Sequence, residues 1–112
     1  MILGRVVGQV WAARKHPKLT QSKLLLVRPH FWYNPSHEVG HLVAIDPVGA
    51  GPGEDVIVCL GKPARDALGD ENAPVEAAVM AIVDRVNVHA DAIGKRALTT
   101  VDGKSIPKEW LR

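Results

Sequence analysis

The sequence predicts an all-β domain: a small five-stranded Greek-key barrel with one short helix and a C-terminal extension. Three observations point there. At 112 residues the chain is one domain long, and folding buries roughly two-thirds of the surface of such a chain, enough to sustain a core without metal or disulfide staples. Hydrophobic residues make up 46% but aromatics only 4%, so the apolar content is mostly Val, Ala, Leu and Ile, which suits strands and close contacts. Short β-rich runs recur between clusters of Gly, Pro and polar residues.

Met1 to Ala13 reads as the first strand, with Ile2, Val6 and Val10 interleaved with Gly4 and Gly8 on one face and Leu3, Val7 and Trp11 on the other. Two glycines on one strand face point to tight bending or close backbone approach, as at the corner of a small barrel. Arg14 to Ser22 is a polar loop, and Lys23 to Arg28 is a continuous apolar strand. Pro29 to Gly40 is loop-like, carrying Phe31-Trp32-Tyr33 ahead of the turn signal Asn34-Pro35-Ser36. Leu42 to Ile45 and Val56 to Leu60 are strands flanking a loop whose glycines at 49, 51 and 53 allow positive φ or close approach, while Pro47 and Pro52 stiffen its path.

Gly61 to Gly69 predicts a one- or two-turn helix, with Pro63 near its start and Gly69 just past its end. After a polar loop at Asp70 to Pro74, a turn or short helix is expected at Val75 to Ala78, leading into a last strand that contains Ile82 to Val86. Residues 1–86 thus form the barrel, with the strand inventory of the OB type, and 87–112 form the extension. The extension holds an Asp102-Gly103 turn candidate and ends on Trp110-Leu111, an anchor for docking on the barrel or on a neighbouring chain.

Fourteen basic and twelve acidic residues give a net charge of +2, too balanced for a polycationic face that would bind nucleic acid or a membrane. The single cysteine, Cys59, cannot pair within the chain and lies in an apolar run, which fits a reducing cytoplasm. No apolar run approaches the roughly 20 residues needed to span a bilayer, and Met1 to Trp11 carries neither a basic leader nor a small-residue cleavage site. What stands out is that strands one, two, four and five carry Val, Leu or Ile on both faces. A lone barrel this small should alternate apolar inward with polar outward, and one short helix cannot cover four strands. A permanent oligomer with apolar subunit interfaces is the expected answer.

Three chemical motifs compete with a structural reading. His37-Glu38-Val39-Gly40-His41 matches the His-Glu-x-x-His pattern of zinc metallopeptidases, in which two histidines one helical turn apart bind zinc and the glutamate is the general base. That chemistry needs one continuous helix, whereas Gly40 weakens a helix and Leu42 to Ile45 reads as a strand. Phe31, Trp32 and Tyr33 could stack bases in an oligonucleotide-binding module, but few basic residues lie near them in sequence. The glycine loop lacks the Gly-Lys-Ser/Thr of a phosphate cradle and is followed by a strand, so it offers no helix N-terminus to an anion. No nucleophilic triad is marked out, and no metal or cofactor site is expected.

In order, Met1-Ile-Leu-Gly-Arg-Val-Val-Gly-Gln-Val10, Lys15-His-Pro-Lys-Leu19, Lys23-Leu-Leu-Leu-Val27, Leu42-Val-Ala-Ile-Asp-Pro-Val-Gly-Ala-Gly-Pro-Gly-Glu-Asp-Val56, Gly61-Lys-Pro-Ala-Arg65, Pro74-Val-Glu-Ala-Ala78 and Ile82-Val-Asp84 resemble the bacterial microcompartment vertex proteins, the EutN/CcmL family. The resemblance implies a structural, non-enzymatic subunit in the shell of a cytoplasmic microcompartment. It would form a homopentamer that caps the vertices and abuts hexameric shell proteins, with no cofactor, nucleic acid or membrane as partner. It also accounts for the two-sided strands, because a ring joins two different patches of each subunit. On this reading Gly49, Ala50, Gly51, Gly53 and Glu54 approach the ring axis or a subunit junction, and Lys15, Val56, Ile82 and Val83 contribute to oligomer contacts. The aromatic Phe31 to Ser36 loop and the long tail depart from the family pattern.

Overall fold

The computed structural model describes residues 1–14, 17, 23–30, 40–69, 72, 74–89, 91, 106 and 108–112. Among them are five strands, β1 (Ile2–Val10), β2 (Lys23–Pro29), β3 (Leu42–Asp46), β4 (Asp55–Leu60) and β5 (Ala77–Val83), and one short helix, α1 (Lys62–Ala67). The strands close into a barrel in the order β1-β2-β3-β5-β4. Every pairing is antiparallel except that of β3 with β5, which meet in parallel at Ile45 and Ala78. This is the expected small Greek-key barrel.

Alternation along β1 decides what enters the core. Ile2, Gly4 and Val6 are buried, Leu3 and Arg5 are half-buried, and Val7 is exposed. A register shift between Val6 and Gly8 bends the strand where it passes from its pairing with β4 to the later part of its pairing with β2. Among the described residues the interior cluster is aliphatic: Val6, Leu25, Val27, Ala44, Ala50, Val56, Val58, Ala77 and Val79. Such small residues suit a barrel of five strands, whose interior is narrow. Gly4 is required by that narrowness, since a Cβ built on it would lie 2.6 Å from Val27 Cγ1 and 2.9 Å from the Arg28 carbonyl oxygen.

The helix follows its sequence signals. Gly61 takes φ 66° at the N-cap and Pro63 stands in the first turn. The Leu68 and Gly69 amides donate to the Arg65 and Asp66 carbonyls at 3.1 and 3.0 Å, and Gly69 takes φ 72°, which turns the chain away. Ala64 is its buried residue. It packs with Ile45, Cys59 and Ala78, so the helix covers the outer wall where β3, β4 and β5 meet.

Val75 to Ala78 forms no helix. Ala77 and Ala78 are already in β5, paired with Leu60 and Cys59, and the strand ends at Val83 rather than Val86. Alanine favours a helix by intrinsic propensity, but Ala77 is buried in the narrow interior and Ala78 beneath Ala64 of α1, two places where a small side chain is what fits. The tail's described end docks on its own barrel: Val88, Ile106 and Trp110 form a buried cluster against Leu3, Val86 and Leu111. The Asp102-Gly103 turn lies outside the described residues.

Gly4→Ala should destabilise the fold by about 1–3 kcal/mol, as overpacking of a closed interior does. Urea unfolding should show a lower midpoint with an unchanged slope; a midpoint equal to that of the parent would mean that β1 and β2 can part to admit the methyl group.

Candidate assembly surfaces

The glycine loop is shaped by a carboxylate and an ammonium. Asp46, at the end of β3, accepts hydrogen bonds at Oδ1 from the backbone amides of Val48 and Gly49, at 3.0 and 2.9 Å. This is an Asx-type turn, in which a short acidic side chain caps the backbone two or three residues on. The Asp46 side chain is enclosed, and its Oδ2 has no hydrogen bond but lies 3.8 Å from Lys23 Nζ. Lys23 in turn donates to the Ala50 carbonyl, tying β2 to the middle of the loop. Across the loop's far end, the Gly51 amide donates to Glu54 Oε1 at 2.8 Å, the Gly53 amide donates to the Val6 carbonyl at 2.8 Å, and the Val6 amide donates to the Glu54 carbonyl at 2.9 Å.

Gly49 and Gly53 have φ of 99° and 87°, values that disfavour any residue with a Cβ. A Cβ at either would meet nothing within 4 Å, so the backbone angle and not crowding within the chain demands glycine there. Ala50 points into the core with no exposure, while Val48, Gly49, Pro52, Gly53 and Glu54 form the exposed rim. The loop is therefore held from both ends by hydrogen bonds, with an exposed rim on which glycines alternate with Val48, Pro52 and Glu54.

The outer wall is only partly covered. Helix α1 shields Ile45, Cys59 and Ala78, and the tail shields Leu3. Val7, Val43, Val48, Leu60, Met80 and Ile82 remain 40–49% exposed. Two of these regions differ in shape. Leu24, Val43, Ile45, Pro74, Val75, Glu76 and Ala77 line an apolar cleft beside β3. Met80 and Ile82 project from β5 beyond its parallel bridge to β3. A cleft and an exposed apolar pair are unlike surfaces, and unlike surfaces are what a head-to-tail ring joins.

A third feature lies where β1, β2 and β4 come together. Arg5 clasps Asp55 through Nε to Oδ1 at 3.1 Å and Nη2 to Oδ2 at 3.0 Å, and His30 Nε2 lies 2.8 Å from Asp55 Oδ1. The Asp55 hydrogen bond raises the Arg5 pKa above its ordinary value, against the opposing effect of burial. Burial pushes the His30 pKa below its ordinary 6.5, the Asp55 hydrogen bond only partly opposing it.

The family described as ethanolamine utilisation protein EutN/carboxysome matches residues 1–84, which spans the barrel through β5. The chain belongs to the EutN/CcmL family. The shell vertex protein GrpN of Rhodospirillum rubrum (strain F11) is 40% identical over 86 residues, 77% of this chain and 96% of its own length. The carboxysome shell vertex protein CcmL of Synechocystis sp. is 39% identical over 94 residues, 83% of this chain and 92% of its own. The solved GrpN pentameric microcompartment shell protein of Rhodospirillum rubrum superposes with a TM-score of 0.66 at 38% identity, covering 79% of this chain and 99% of the other.

The EutN/CcmL barrel separates the residues singled out from sequence. Val56 is fully enclosed, so its side chain belongs to the core and not to an outer surface. Ile82 is 40% exposed and Val83 half-buried, next to Met80 on β5. Lys15 lies outside the described residues. So do Phe31, Trp32, Tyr33, His37 and Glu38, but His41 is an exposed coil residue followed by a strand at Leu42–Asp46, whereas the zinc motif would require His41 to lie on a helix. The strand after the glycine loop also removes the phosphate-cradle reading. Among the described residues no group of three or more His, Cys, Asp or Glu side chains could hold a metal, and no helix is long and apolar enough to cross a membrane.

Sequence reading missed Lys23, Asp46 and the Arg5–Asp55–His30 cluster. Asp46-Pro47 followed by Gly49 is a local signal for the turn. Nothing local marks the cluster, whose members lie 25 and 50 positions apart. Asp46→Ala should cost about 1–3 kcal/mol through the loss of two hydrogen bonds to the loop amides. Hydrogen exchange at the Val48 and Gly49 amides should accelerate; unchanged exchange would show that the loop holds its shape without Asp46.

Proposed function

We propose that this chain is a structural subunit without catalytic activity, which assembles into homopentamers and caps the vertices of a polyhedral bacterial microcompartment shell in the cytoplasm. The observation that carries this is the exposed apolar wall: after α1 and the tail have covered their share, Val43 and its cleft and Met80 with Ile82 are left open on β3 and β5. Burying them against identical copies is favourable at roughly 25 cal/mol per Å² of apolar surface, and two unlike patches close a ring where one self-complementary patch would make a pair. The family relatives support five as the number, since the GrpN relative is a pentameric shell protein.

Function on this reading is geometric. A pentagonal unit introduces the curvature that flat hexagonal units lack, so its edges meet hexameric shell proteins and the closed shell confines the chemistry within. The protruding loop, with Gly49, Gly51, Gly53 and Glu54 on its path and Ala50 anchoring it in the core, lies at the ring axis or at a subunit junction. The absence of side chains at Gly49, Gly51 and Gly53 suits such crowding. Ile82 and Val83 fall at the subunit contact beside Met80, and Lys15 is assigned there from sequence. Nucleic acid is not a partner on this reading, as the charge balance gives no basic surface for it.

Native mass spectrometry of the purified chain should show a particle of five 12.1 kDa subunits. Ile82→Asp places a charge in an apolar contact and should shift the population to monomers while circular dichroism stays that of the folded barrel. A parent protein that remains monomeric at high concentration would end the vertex reading. Pentamers persisting in Ile82→Asp would move the contact away from β5.

A further inference from the structure

The family match ends at residue 84, and the chain that follows builds something of its own on the barrel. Val88 donates to the Trp110 carbonyl at 2.7 Å, and the Arg112 amide donates to the Val88 carbonyl at 2.7 Å, forming a parallel bridge between Val88 and Leu111. That bridge pins the returning end of the tail to its beginning. Trp110, 3% exposed, is thereby laid over His30, with ring centroids 5.3 Å apart. His30 sits at the end of β2 and its amide donates to the Leu3 carbonyl of β1 at 2.9 Å. Trp110 thus seals the meeting point of β1, β2 and β4.

We propose that Ile106 together with residues 108–112 acts as a latch that closes on its own barrel while His30 is neutral and opens when His30 is protonated, uncovering Leu3, Val86 and Val88 as an apolar surface. The groups around His30 decide the direction. Asp55 on β4 attracts a cation there, but Arg5 on β1 already engages both of its oxygens, and Arg5 and Arg28 on β2 both repel. From the tail, Glu109 acts on Arg5 and Trp110 excludes water from His30. An indole face offers a cation some attraction, but the ring here is tilted by 56°, and burial outweighs the Asp55 contribution. A histidine whose pKa is lowered in the closed state binds fewer protons closed than open. Closure is therefore favoured at higher pH and weakens as pH falls and His30 gains its proton. Every contact of the latch lies within one chain.

The test uses the full chain carrying Trp11→Phe and Trp32→Phe, so that Trp110 is the sole indole. Its emission maximum should be that of a buried indole at about pH 8 and shift to that of a solvated one by about pH 5, with far-ultraviolet circular dichroism unchanged. Adding His30→Gln, which keeps a neutral donor for Asp55, should abolish the shift. A second variant, Val88→Cys with Leu111→Cys and Cys59→Ala, should form an intrachain disulfide across the bridge and hold the buried emission at both pH values. The latch is refuted by emission already solvated at about pH 8, by emission constant over the range, by a shift that survives in the locked chain, or by loss of the whole barrel's signal with the shift. Interchain disulfides in place of intrachain ones would refute docking of the tail on its own barrel.

Discussion

The narrow interior of a five-stranded barrel governs this structure. Closing so few strands leaves room only for aliphatic side chains and for glycine where β1 crosses β2, and Gly4 lies too close to Val27 for any Cβ. Such a core is small, and the chain carries more apolar side chains than it can hold. The surplus faces outward on the same strands. Each later feature of the molecule deals with that surplus in a different way.

Helix α1 covers one part, over Ile45, Cys59 and Ala78, using an alanine so that a single turn and a half can sit close to the wall. The tail covers another, over Leu3, with its own Val88, Ile106 and Trp110. The rest, from the cleft by Val43 to Met80 and Ile82, stays open in the single chain. An assembly is the remaining way to remove it from water. The family to which the chain belongs, with pentameric relatives, fits that physical requirement.

Two polar clusters keep this apolar construction in register. Lys23 and Asp46 hold the glycine loop against β2 and β3, so the loop projects in one shape. Arg5, Asp55 and His30 tie three strands together beneath the tail. Buried polar groups of this kind are costly unless satisfied, and where they are satisfied they favour one arrangement over its neighbours. The first cluster shapes the loop, and the second is where the tail's closure meets a titratable group.

Local chemistry by itself determined the strands, the helix and the loop. Alternating residues set the faces of β1, Pro63 and Gly69 bounded α1, and Gly49 and Gly53 marked the turns that need positive φ. These are effects of neighbouring residues on one another, and a sequence records neighbours. Only the closed barrel decided that Ala77 and Ala78 would be strand, that Val56 would be core while Ile82 faced out, and that Trp110 would lie on His30. Each of those depends on which distant segments meet, because burial overrides helix propensity, and a bulge in β5 against β4 changes which side a residue faces. Such meetings are a property of the folded chain as a whole.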